Sequence, residues 1–421
     1  MCALSAQSKP ITIDRDRLNR ELETLASFSD SPSPSVTRIV FSESDRRARE
    51  YVKDLCREAG LVIREDAVGN TFARWNGDVS EEAAVGTGSH IDAIPNAGRY
   101  DGTVGVLGGL EAIRALKRSG FSPKRPIELL ILTSEEPTRF GIGCLGSRLI
   151  SGNRDTSVDE KLKDKGGQSL RDAREAAGFG GDLRKVLLPR GYYRNFVELH
   201  IEQGPLLEQG QLEIGVVTAI AAPASLRITI EGQGGHAGGV LMPDRRDALC
   251  AAAEIILGVE SGAKSTGSHD TVGTVGVCDV FPSAVNSIPS RVRLEVDLRD
   301  IDEQRRETVF RLIRQRCDEI AGLRSVGVQI EIVNADAPGE CAAEVVEAIE
   351  SACGTNHLRS KRMVSRAYHD SLFMSRIART GMIFIPCRNG ISHRPDEYAS
   401  PEAISNGTRV LALVLAELAS E

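Results

Sequence analysis

Long apolar runs and basic blocks are both absent from this 421-residue sequence. No segment approaches the roughly 18 consecutive apolar residues of a membrane-spanning helix, so we expect no such helix. The N-terminus becomes charged within its first fifteen residues and lacks the apolar core of a secretory signal. The 59 acidic and 52 basic residues give a net charge of −7. This balance argues against nucleic-acid binding, which depends on neutralising phosphates.

A disulfide framework is not indicated either. The nine cysteines are an odd number, and no CxxC pair occurs. We therefore predict reduced thiols, packed mostly as small apolar side chains, in a reducing compartment such as the cytoplasm. Hydrophobic residues make up 41% of the chain and charged residues 26%, as in ordinary globular proteins. The length predicts two or three domains.

The pattern of residues 1–217 and 334–421 predicts an α/β domain. Apolar runs of strand length, such as Ile127–Thr133, alternate there with helical patterns such as Gly102–Ser119. Fully apolar runs are typical of central strands that helices cover on both faces of a sheet. We therefore expect one discontinuous domain with a mixed central sheet.

Residues 218–333 change in character. Ser225–Glu231 and Arg291–Asp297 alternate polar and apolar residues, and helical patterns follow at Asp244–Val259 and Asp302–Ala321. The β-α-β-β-α-β order with half-exposed strands predicts an inserted α+β domain of the ferredoxin-like type.

Six histidine and acidic side chains stand at the ends of predicted strands or in the loops that follow. In an open α/β sheet, the carboxyl ends of the strands line one crevice, so we expect these side chains to converge. They are His90, Asp101, Glu135, Glu136, His200 and His393.

This residue set is suited to metal binding. Three histidines, one aspartate and one glutamate match a site for two hard-to-borderline metal ions with a bridging carboxylate. A single strand-end histidine is more often a structural hydrogen-bonding group, and a Glu-Glu pair is usually solvated. Their joint occurrence, each after an apolar run, favours the metal site.

Two neighbours of these residues have predicted supporting roles. We expect Asp92 to fix the tautomer of His90, and the pair Glu135–Glu136 to divide into a general base and a metal ligand. Successive residues of a strand face opposite ways. Both glutamates can therefore serve only if the strand ends before them, which Pro137 favours.

The remaining histidines allow other interpretations. His236 stands in EGQGGHAG, which superficially resembles a dinucleotide fingerprint, but Pro243 intervenes and no βαβ unit fits. A glycine-flanked histidine is better suited to donate a hydrogen bond to an oxyanion. His369 precedes a helical pattern and is a second candidate for substrate contact, whereas His269 and His357 receive no role. No G-x-S-x-G occurs, which disfavours serine catalysis.

Long motifs occur throughout the chain. They are GTGSHIDAIPNAGRYDG, TSEEPTRFGIGCLGS, ELHIEQGPLLE, GQGGHAG, NSIPS, DLRDID and GISHRP. Together they resemble the dinuclear-metal, aminoacylase-type peptidase superfamily. Within it, they are similar to the amidohydrolase branch that cleaves carbamoyl and ureido compounds, which includes allantoate, ureidoglycolate and N-carbamoyl-amino-acid hydrolases.

The resemblance implies a fold and a ligand set. It implies an aminopeptidase-like catalytic domain, 1–217 with 334–421, and an inserted lid and dimerisation domain, 218–333. Two divalent metal ions, manganese in this family, would be bound, although the same ligands can hold zinc. The implied ligands are His90, Asp101 and His200 for one ion and Asp101, Glu136 and His393 for the other, with Asp101 bridging and Glu135 as general base and then general acid.

The resemblance also implies a substrate-binding set. His236, Asn286 and Arg299 would bind the substrate from the lid, at least one of them in the partner's site of a homodimer, and Gln203 from the catalytic domain. The chemistry agrees, because Arg299 offers a planar fork for a carboxylate and the other two lid residues offer donors. Without the resemblance, Arg299 is one of several charges at an exposed strand end.

The stretch Ser365–Asp370, SRAYHD, distinguishes members of the branch. Allantoate and N-carbamoyl hydrolases usually carry SGAGHD, so Arg366 and Tyr368 stand where those relatives have glycine. Such bulk would narrow the pocket and favour a substrate smaller than allantoate. With LFMSRI and MIFIPC, this form resembles plant-type ureidoglycolate amidohydrolases. We therefore expect ureidoglycolate hydrolysis to glyoxylate, ammonia and carbon dioxide, a step of purine and ureide catabolism.

Two alternatives stay open. One is the same mechanism acting on allantoate or an N-carbamoyl-L-amino acid. The other is a non-catalytic binding protein on this scaffold, which the presence of all five ligands and Glu135 disfavours. In either enzyme the partner is a small ureido compound, and we expect no nucleic-acid or membrane partner. Plant members carry a leader for the endoplasmic reticulum. We find none here and expect a cytoplasmic protein, unless such a leader was removed.

Overall fold

The computed structural model describes residues 9–79 and 82–421. Cys2, one of the predicted thiols, lies outside the described residues. The helices are α1 Arg15–Ser27, α2 Glu43–Glu58, α3 Thr103–Ser119, α4 Leu145–Ser151, α5 Thr156–Asp159, α6 Leu170–Ala176, α7 Leu206–Gln209, α8 Ala248–Ser265, α9 Glu303–Arg324, α10 Ala343–Thr355, α11 Asp370–Met374 and α12 Pro401–Ser420.

The strands alternate with these helices along most of the chain. They are β1 Val36–Arg38, β2 Val62–Glu65, β3 Thr71–Trp75, β4 Ala84–His90, β5 Ala93–Ala97, β6 Ile127–Leu132, β7 Tyr193–Ile201, β8 Ile214–Ile220, β9 Ala222–Glu231, β10 Gly235–His236, β11 Val272–Phe281, β12 Ser287–Ile288, β13 Arg291–Asp300, β14 Gly327–Ala335, β15 Gly339–Glu340, β16 Ser360–Ser365 and β17 Arg379–Ile385. Among the described residues, no helix is both long and apolar enough to span a membrane.

The chain divides into two units. The first comprises residues up to Thr218, Glu340–Ser365 and His369–Glu421, and the second comprises Ala219–Gly339 and Arg366–Tyr368. The predicted boundary at 333/334 is therefore wrong, because β14 continues to Ala335 and stays paired with β9. The functional roles assigned to the two domains stay a prediction.

A mixed sheet organises the first unit and confirms the predicted α/β class. The strand order is β8-β17-β7-β4-β6-β3-β2, with β15 and β16 also pairing with β8. The four central strands β17, β7, β4 and β6 run parallel, whereas β8, β3 and β2 pair antiparallel with their neighbours. A parallel core needs cover on both faces, which explains why β4 and β6 are buried throughout.

Alternate residues of one strand enter two different cores. Ile127, Leu129 and Ile131 of β6 pack in a cluster with residues of α3, α10 and α12. Leu130 and Leu132 point the other way, into a cluster with residues of α4 and α6. The apolar run IELLIL is therefore the middle layer of three.

The second unit has the predicted β-α-β-β-α-β order. Its four-stranded antiparallel sheet runs β11-β13-β9-β14, and α8 and α9 pack against it. Leu226, Ile228 and Ile230 of β9 are buried, whereas Arg227 and Thr229 alternate with them and are half-exposed. The helix predicted at Asp244–Val259 instead begins at Ala248, because the Asp247 carboxylate accepts hydrogen bonds from the first-turn N–H groups and caps the helix there.

The cysteine prediction is confirmed in part. The eight cysteines that the structure describes are all free thiols. Cys250 and Cys278 are exposed, however, so these two are not packed as small apolar side chains.

Helix α3 is bounded by glycines with positive φ. Gly102 precedes it at φ 66° and Gly120 ends it at φ 81°. A Cβ atom on Gly102 would lie 2.5 Å from the His90 ring, whereas a Cβ atom on Gly120 would meet nothing within 4 Å. The start of α3 is therefore packed directly against His90.

These two glycines predict a difference in stability. Gly120→Ala should lower the free energy of unfolding by about 1–2 kcal/mol, the cost of a left-handed conformation for a side chain. Gly102→Ala should cost a further ~1–3 kcal/mol, because its methyl group overpacks the His90 ring. Urea unfolding of both variants measures the difference, and equal losses would contradict the packing argument.

Candidate metal centre

The strand order brings the candidate residues to one edge of the sheet. His90 ends β4, His200 lies one residue before the end of β7, and Glu135 follows the end of β6. His393 lies in the loop between β17 and α12. Since β17, β7, β4 and β6 are adjacent and parallel, their carboxyl ends meet at this edge.

The carboxylate of Asp101 stands at the centre of the cluster. Its Oδ1 lies 3.4 Å from His90 Nε2 and 3.2 Å from His200 Nε2. Its Oδ2 lies 3.4 Å from His393 Nε2, which is also 3.1 Å from Glu136 Oε1. The two oxygens of one carboxylate thus face two separate sets of donors. We call His90, Asp101 and His200 the first donor group, and Asp101, Glu136 and His393 the second donor group.

Two imidazole rings are held in the tautomer that a metal ligand requires. His90 Nδ1 lies 3.0 Å from the Asp92 carbonyl oxygen, and His200 Nδ1 lies 2.9 Å from the Ile201 carbonyl oxygen. A carbonyl oxygen only accepts, so each Nδ1 carries the proton, and Nε2 of the neutral ring keeps a lone pair. The lone pair of His200 accepts the Gly102 N–H over 3.1 Å, whereas that of His90 faces Asp101. Two acceptors facing each other need a cation or a proton between them, and the donor set therefore fits divalent metal ions.

The pKa values of the cluster indicate a negative electrostatic potential, which favours cations. Burial raises the pKa of Asp101, but hydrogen bonds from His200, His393 and His90 outweigh it and hold that pKa well below its usual range. Hydrogen bonds to Asp101 and Glu136 raise the pKa of His393 to about 11. A site that draws protons onto its imidazoles in this way provides the negative potential that a metal ion requires.

Asp101 is held by residues that the sequence analysis assigned otherwise or missed. Gln203 Nε2 donates to Asp101 Oδ2 over 2.6 Å, and the Ser392 hydroxyl lies 2.6 Å from the same oxygen. The predicted substrate contact of Gln203 stays a prediction. Glu397 accepts hydrogen bonds from the backbone N–H groups of Tyr100 and Asp101. Its position four residues after His393 is the one sequence signal that could have indicated it.

A sharp turn orients the two adjacent glutamates. Ser134 has a φ of 57°, and the Asp92 carboxylate accepts hydrogen bonds from the backbone N–H groups of Glu135 and Glu136 over 3.2 and 3.1 Å. Glu136 reaches His393, and Glu135 Oε2 lies 3.8 Å from His90 Nε2. Both side chains therefore lie at the cluster, as the predicted division of roles requires.

The predicted contact of Asp92 needs a correction. Its carbonyl oxygen, not its carboxylate, is the hydrogen-bond partner of His90 Nδ1. The carboxylate oxygen is 3.7 Å from that nitrogen, because it is turned toward the glutamate backbone. Burial raises the pKa of Asp92 to about 6.

The environment of Glu135 favours proton exchange. Burial raises the pKa of its carboxyl well above the ordinary value, with a lowering contribution from His90 and raising contributions from Glu136 and Asp370. Cys144, which the sequence analysis did not single out, places its Sγ 3.5 Å from Glu135 Oε1. A buried carboxyl group with a raised pKa has the property that a general acid or base needs.

His369 lies beside His200 and is buried. The two ring centroids are 4.5 Å apart, and His369 Nε2 is 3.1 Å from the Ser365 hydroxyl. Glu198, His200 and His369 form a third group with metal-binding spacing. Glu198, however, already accepts hydrogen bonds from the Ser89 and Ser371 hydroxyls. The predicted substrate contact of His369 is not tested by this arrangement.

The other predicted substrate residues lie in the second unit. His236 is exposed on the short β10–β12 ribbon, where the Ala237 N–H donates to the Asn286 carbonyl over 2.9 Å. Arg299 lies one residue before the end of β13, and its Nε and Nη2 are each 2.8 Å from the Asp297 carboxylate. The structure thus groups His236 with Asn286.

Arg299 has an aromatic neighbour from the distinctive SRAYHD stretch. Its guanidinium carbon lies 5.7 Å from the centroid of the Tyr368 ring. Arg366, by contrast, forms an ion pair of 2.6 Å with Asp270. The predicted narrowing of a pocket by these two side chains stays a prediction.

Comparisons with known proteins agree with this architecture. The chain is 54% identical over 419 residues to a ureidoglycolate hydrolase of Oryza sativa subsp. japonica, covering 98% of this chain and 87% of that protein. It is 38% identical over 408 residues to an N-carbamoyl-L-amino acid amidohydrolase of Geobacillus stearothermophilus, covering 97% of this chain and 99% of that protein. A crystal structure of AtUAH in complex with (S)-hydroxyglycine matches with a TM-score of 0.91 and 52% identity, over 99% of this chain and 100% of that chain.

These likenesses confirm the predicted aminopeptidase-like fold and the resemblance to the amidohydrolase branch. A family model described as peptidase family M20/M25/M40 matches residues 86–417. The chain belongs to this peptidase family.

Proposed function

We propose that the protein is a dinuclear metal-dependent amidohydrolase that cleaves the ureido C–N bond of ureidoglycolate, giving glyoxylate, ammonia and carbon dioxide. The observation that carries the proposal is the shared Asp101 carboxylate, which faces His90 and His200 with one oxygen and His393 with the other. The likeness to ureidoglycolate hydrolase over nearly the whole chain supports the choice of substrate.

The first donor group would hold one divalent metal ion and the second donor group the other, and Asp101 would be a ligand of both. We propose manganese, while the same ligands suit zinc. When bound, the ions supply Lewis acidity that polarises the ureido carbonyl and makes water more acidic. The Asp92 carbonyl keeps His90 in the ligating tautomer, and the Asp92 carboxylate holds the backbone of both glutamates.

Glu135 transfers the proton. Its carboxylate takes a proton from the attacking water and returns it to the departing nitrogen, so that one O–H and one C–N bond break as a C–O and an N–H bond form. The products are ammonia and a carbamate, which loses carbon dioxide. The hydroxyglycine that is left separates into glyoxylate and a second ammonia. AtUAH has been crystallised in complex with (S)-hydroxyglycine and with glyoxylate.

Substrate binding involves the second unit. Arg299 binds the carboxylate of ureidoglycolate, and Asn286 and His236 donate to its ureido group. Gln203 and His369 complete the set from the first unit. The second unit acts as a lid and dimerisation domain, and at least one of its residues serves the site of the partner in a homodimer.

Allantoate and N-carbamoyl amino acids are the alternative substrates. The 38% identity to an N-carbamoyl-L-amino acid amidohydrolase is the observation that supports these alternative substrates. Tyr368, which stands where those relatives usually carry glycine, favours the smaller ureidoglycolate. The non-catalytic alternative is disfavoured, because both donor groups are present together with Glu135.

Replacing the proposed proton carrier tests the mechanism. Glu135→Gln keeps the size of the side chain but removes its basicity, so kcat for ammonia release should fall about 100- to 10,000-fold. Metal analysis of the purified variant should find the same manganese content as in the wild type. Full ammonia release by a metal-loaded variant would end the assignment of Glu135.

A substrate panel tests the specificity. Ureidoglycolate should have the highest kcat/KM among ureidoglycolate, allantoate and N-carbamoyl amino acids, with ammonia and glyoxylate as readouts under added manganese. Tyr368→Gly should raise the allantoate-to-ureidoglycolate ratio of kcat/KM at least about tenfold, because it removes bulk. Arg366→Gly is the matched control and should change the ratio less, since Arg366 is held by Asp270. A wild-type preference for allantoate would contradict the proposal.

Sharing of sites between subunits has its own test. Glu135→Gln and His236→Ala should each be inactive as homodimers, and co-expression with two different tags yields the heterodimer. If His236 serves the partner's site, one of two sites is intact, and activity should return to about half of the wild-type dimer value. An inactive heterodimer, or sedimentation of a fully active monomer, would overturn shared sites.

A further inference from the structure

Glu397 connects two loops of the first unit that carry proposed ligands. Its Oε1 accepts hydrogen bonds from the backbone N–H groups of Tyr100 and Asp101 over 2.8 and 3.1 Å. Its Oε2 lies 2.9 Å from the Ser392 hydroxyl. Glu397 is 5% exposed, so water contributes little to satisfying these groups. One buried carboxylate thus joins the loop before α3 to the loop before α12.

The connection extends to the Asp101 side chain. The Ser392 hydroxyl lies 2.6 Å from Asp101 Oδ2, the oxygen that faces His393. Ser392 is also the residue directly before His393. Through Ser392, Glu397 is therefore connected to two parts of the second donor group, the Asp101 carboxylate and the loop that carries His393.

The packing around Glu397 leaves no freedom on the side of Gly98. A Cβ atom on Gly98 would lie 2.3 Å from Glu397 Cβ and 2.4 Å from a carboxylate oxygen, well inside van der Waals contact. A side chain at position 98 would therefore displace Glu397. The glycine and the glutamate fit each other as a pair.

The two donor groups differ in what holds them. His90 and His200 belong to strands of the central sheet, and both rings are fixed by backbone carbonyl groups. His393 belongs to a loop, has a φ of 59°, and its side chain is 46% exposed. The second donor group therefore depends more on loop contacts than the first.

From these contacts we propose that Glu397 is a positioning residue that sets metal occupancy of the second donor group and leaves the first largely unaffected. The inference rests on the proposed dinuclear function. Through Ser392, Glu397 keeps Asp101 Oδ2 and the loop of His393 in place, with His393 Nε2 3.4 Å from that oxygen. Outer-shell partners of metal ligands typically change metal affinity 10- to 100-fold.

The test compares Mn²⁺ binding by calorimetry with activity at several Mn²⁺ concentrations. Glu397→Leu keeps the volume but leaves the two backbone N–H groups without their acceptor. We expect the wild type to bind two ions, and this variant to keep one with unchanged affinity and to bind the second about 10- to 100-fold more weakly. Activity should be lost at low Mn²⁺ and recover at high Mn²⁺, which a variant damaged only in its fold would not show.

Conservative and matched variants complete the design. Glu397→Gln should bind the second ion with nearly wild-type affinity. Its amide oxygen still accepts from the backbone N–H groups, and its NH₂ group can donate to the Ser392 hydroxyl oxygen. Gly98→Ala should act in the same direction as Glu397→Leu and gives a second test if the leucine variant misfolds. Asp396→Ala is the control, since that exposed acid pairs only with Arg394 among the described ion pairs and should bind two ions normally.

The outcomes separate this inference from the function it rests on. Two ions bound with wild-type affinity by both Glu397→Leu and Gly98→Ala would overturn the role of Glu397. Equal weakening of both ions would do the same, because the role is specific to the second donor group. A wild type that binds no Mn²⁺ would overturn the dinuclear function itself.

Discussion

The arrangement of the cluster depends on one electrostatic constraint, a buried carboxylate that faces three imidazole nitrogens. Burial raises the pKa of Asp101, yet its contacts with the histidines hold that pKa well below the usual range. The Nδ1 protons of His90 and His200 are committed to carbonyl groups. The Nε2 lone pair of His200 accepts the Gly102 N–H, and that of His90 is left to face this carboxylate. The cluster therefore favours positive charge between these groups, which divalent metal ions can supply.

Much of this arrangement was predictable because it follows from strand order. Histidines and acids placed after apolar runs must meet if those runs are adjacent parallel strands, and β17, β7, β4 and β6 are adjacent and parallel. The ferredoxin-like order of the second unit was predictable for a similar reason, since residues such as Leu226 and Arg227 alternate with period two. Periodicity carries this information directly.

The contacts that the sequence did not predict are those that depend on which atom of a residue makes the hydrogen bond. The sequence indicates that Asp92 supports His90, but not that the carbonyl does so while the carboxylate holds the glutamate backbone. Glu397 reads as one acid in a charged loop, SHRPDEY, because its partners, the N–H groups of Tyr100 and Asp101, lie almost 300 residues away in sequence. The boundary between Gly339 and Glu340 was missed because β14, which extends the second unit past residue 333, is exposed or half-exposed throughout.

Several residues in the loops of the cluster have positive φ values. Ser134, Gln203 and His393 all have φ values between 55° and 59°, and Gly102 stands at 66° beside the His90 ring. Left-handed residues cost free energy and persist only where surrounding contacts determine them. Here the contacts are polar: the Asp92 carboxylate supports the turn after Ser134, and Asp101 accepts from Gln203. The side chains that shape the candidate centre therefore also stabilise the strained loops that carry it, so removal of any one should disturb ligand geometry and local stability together.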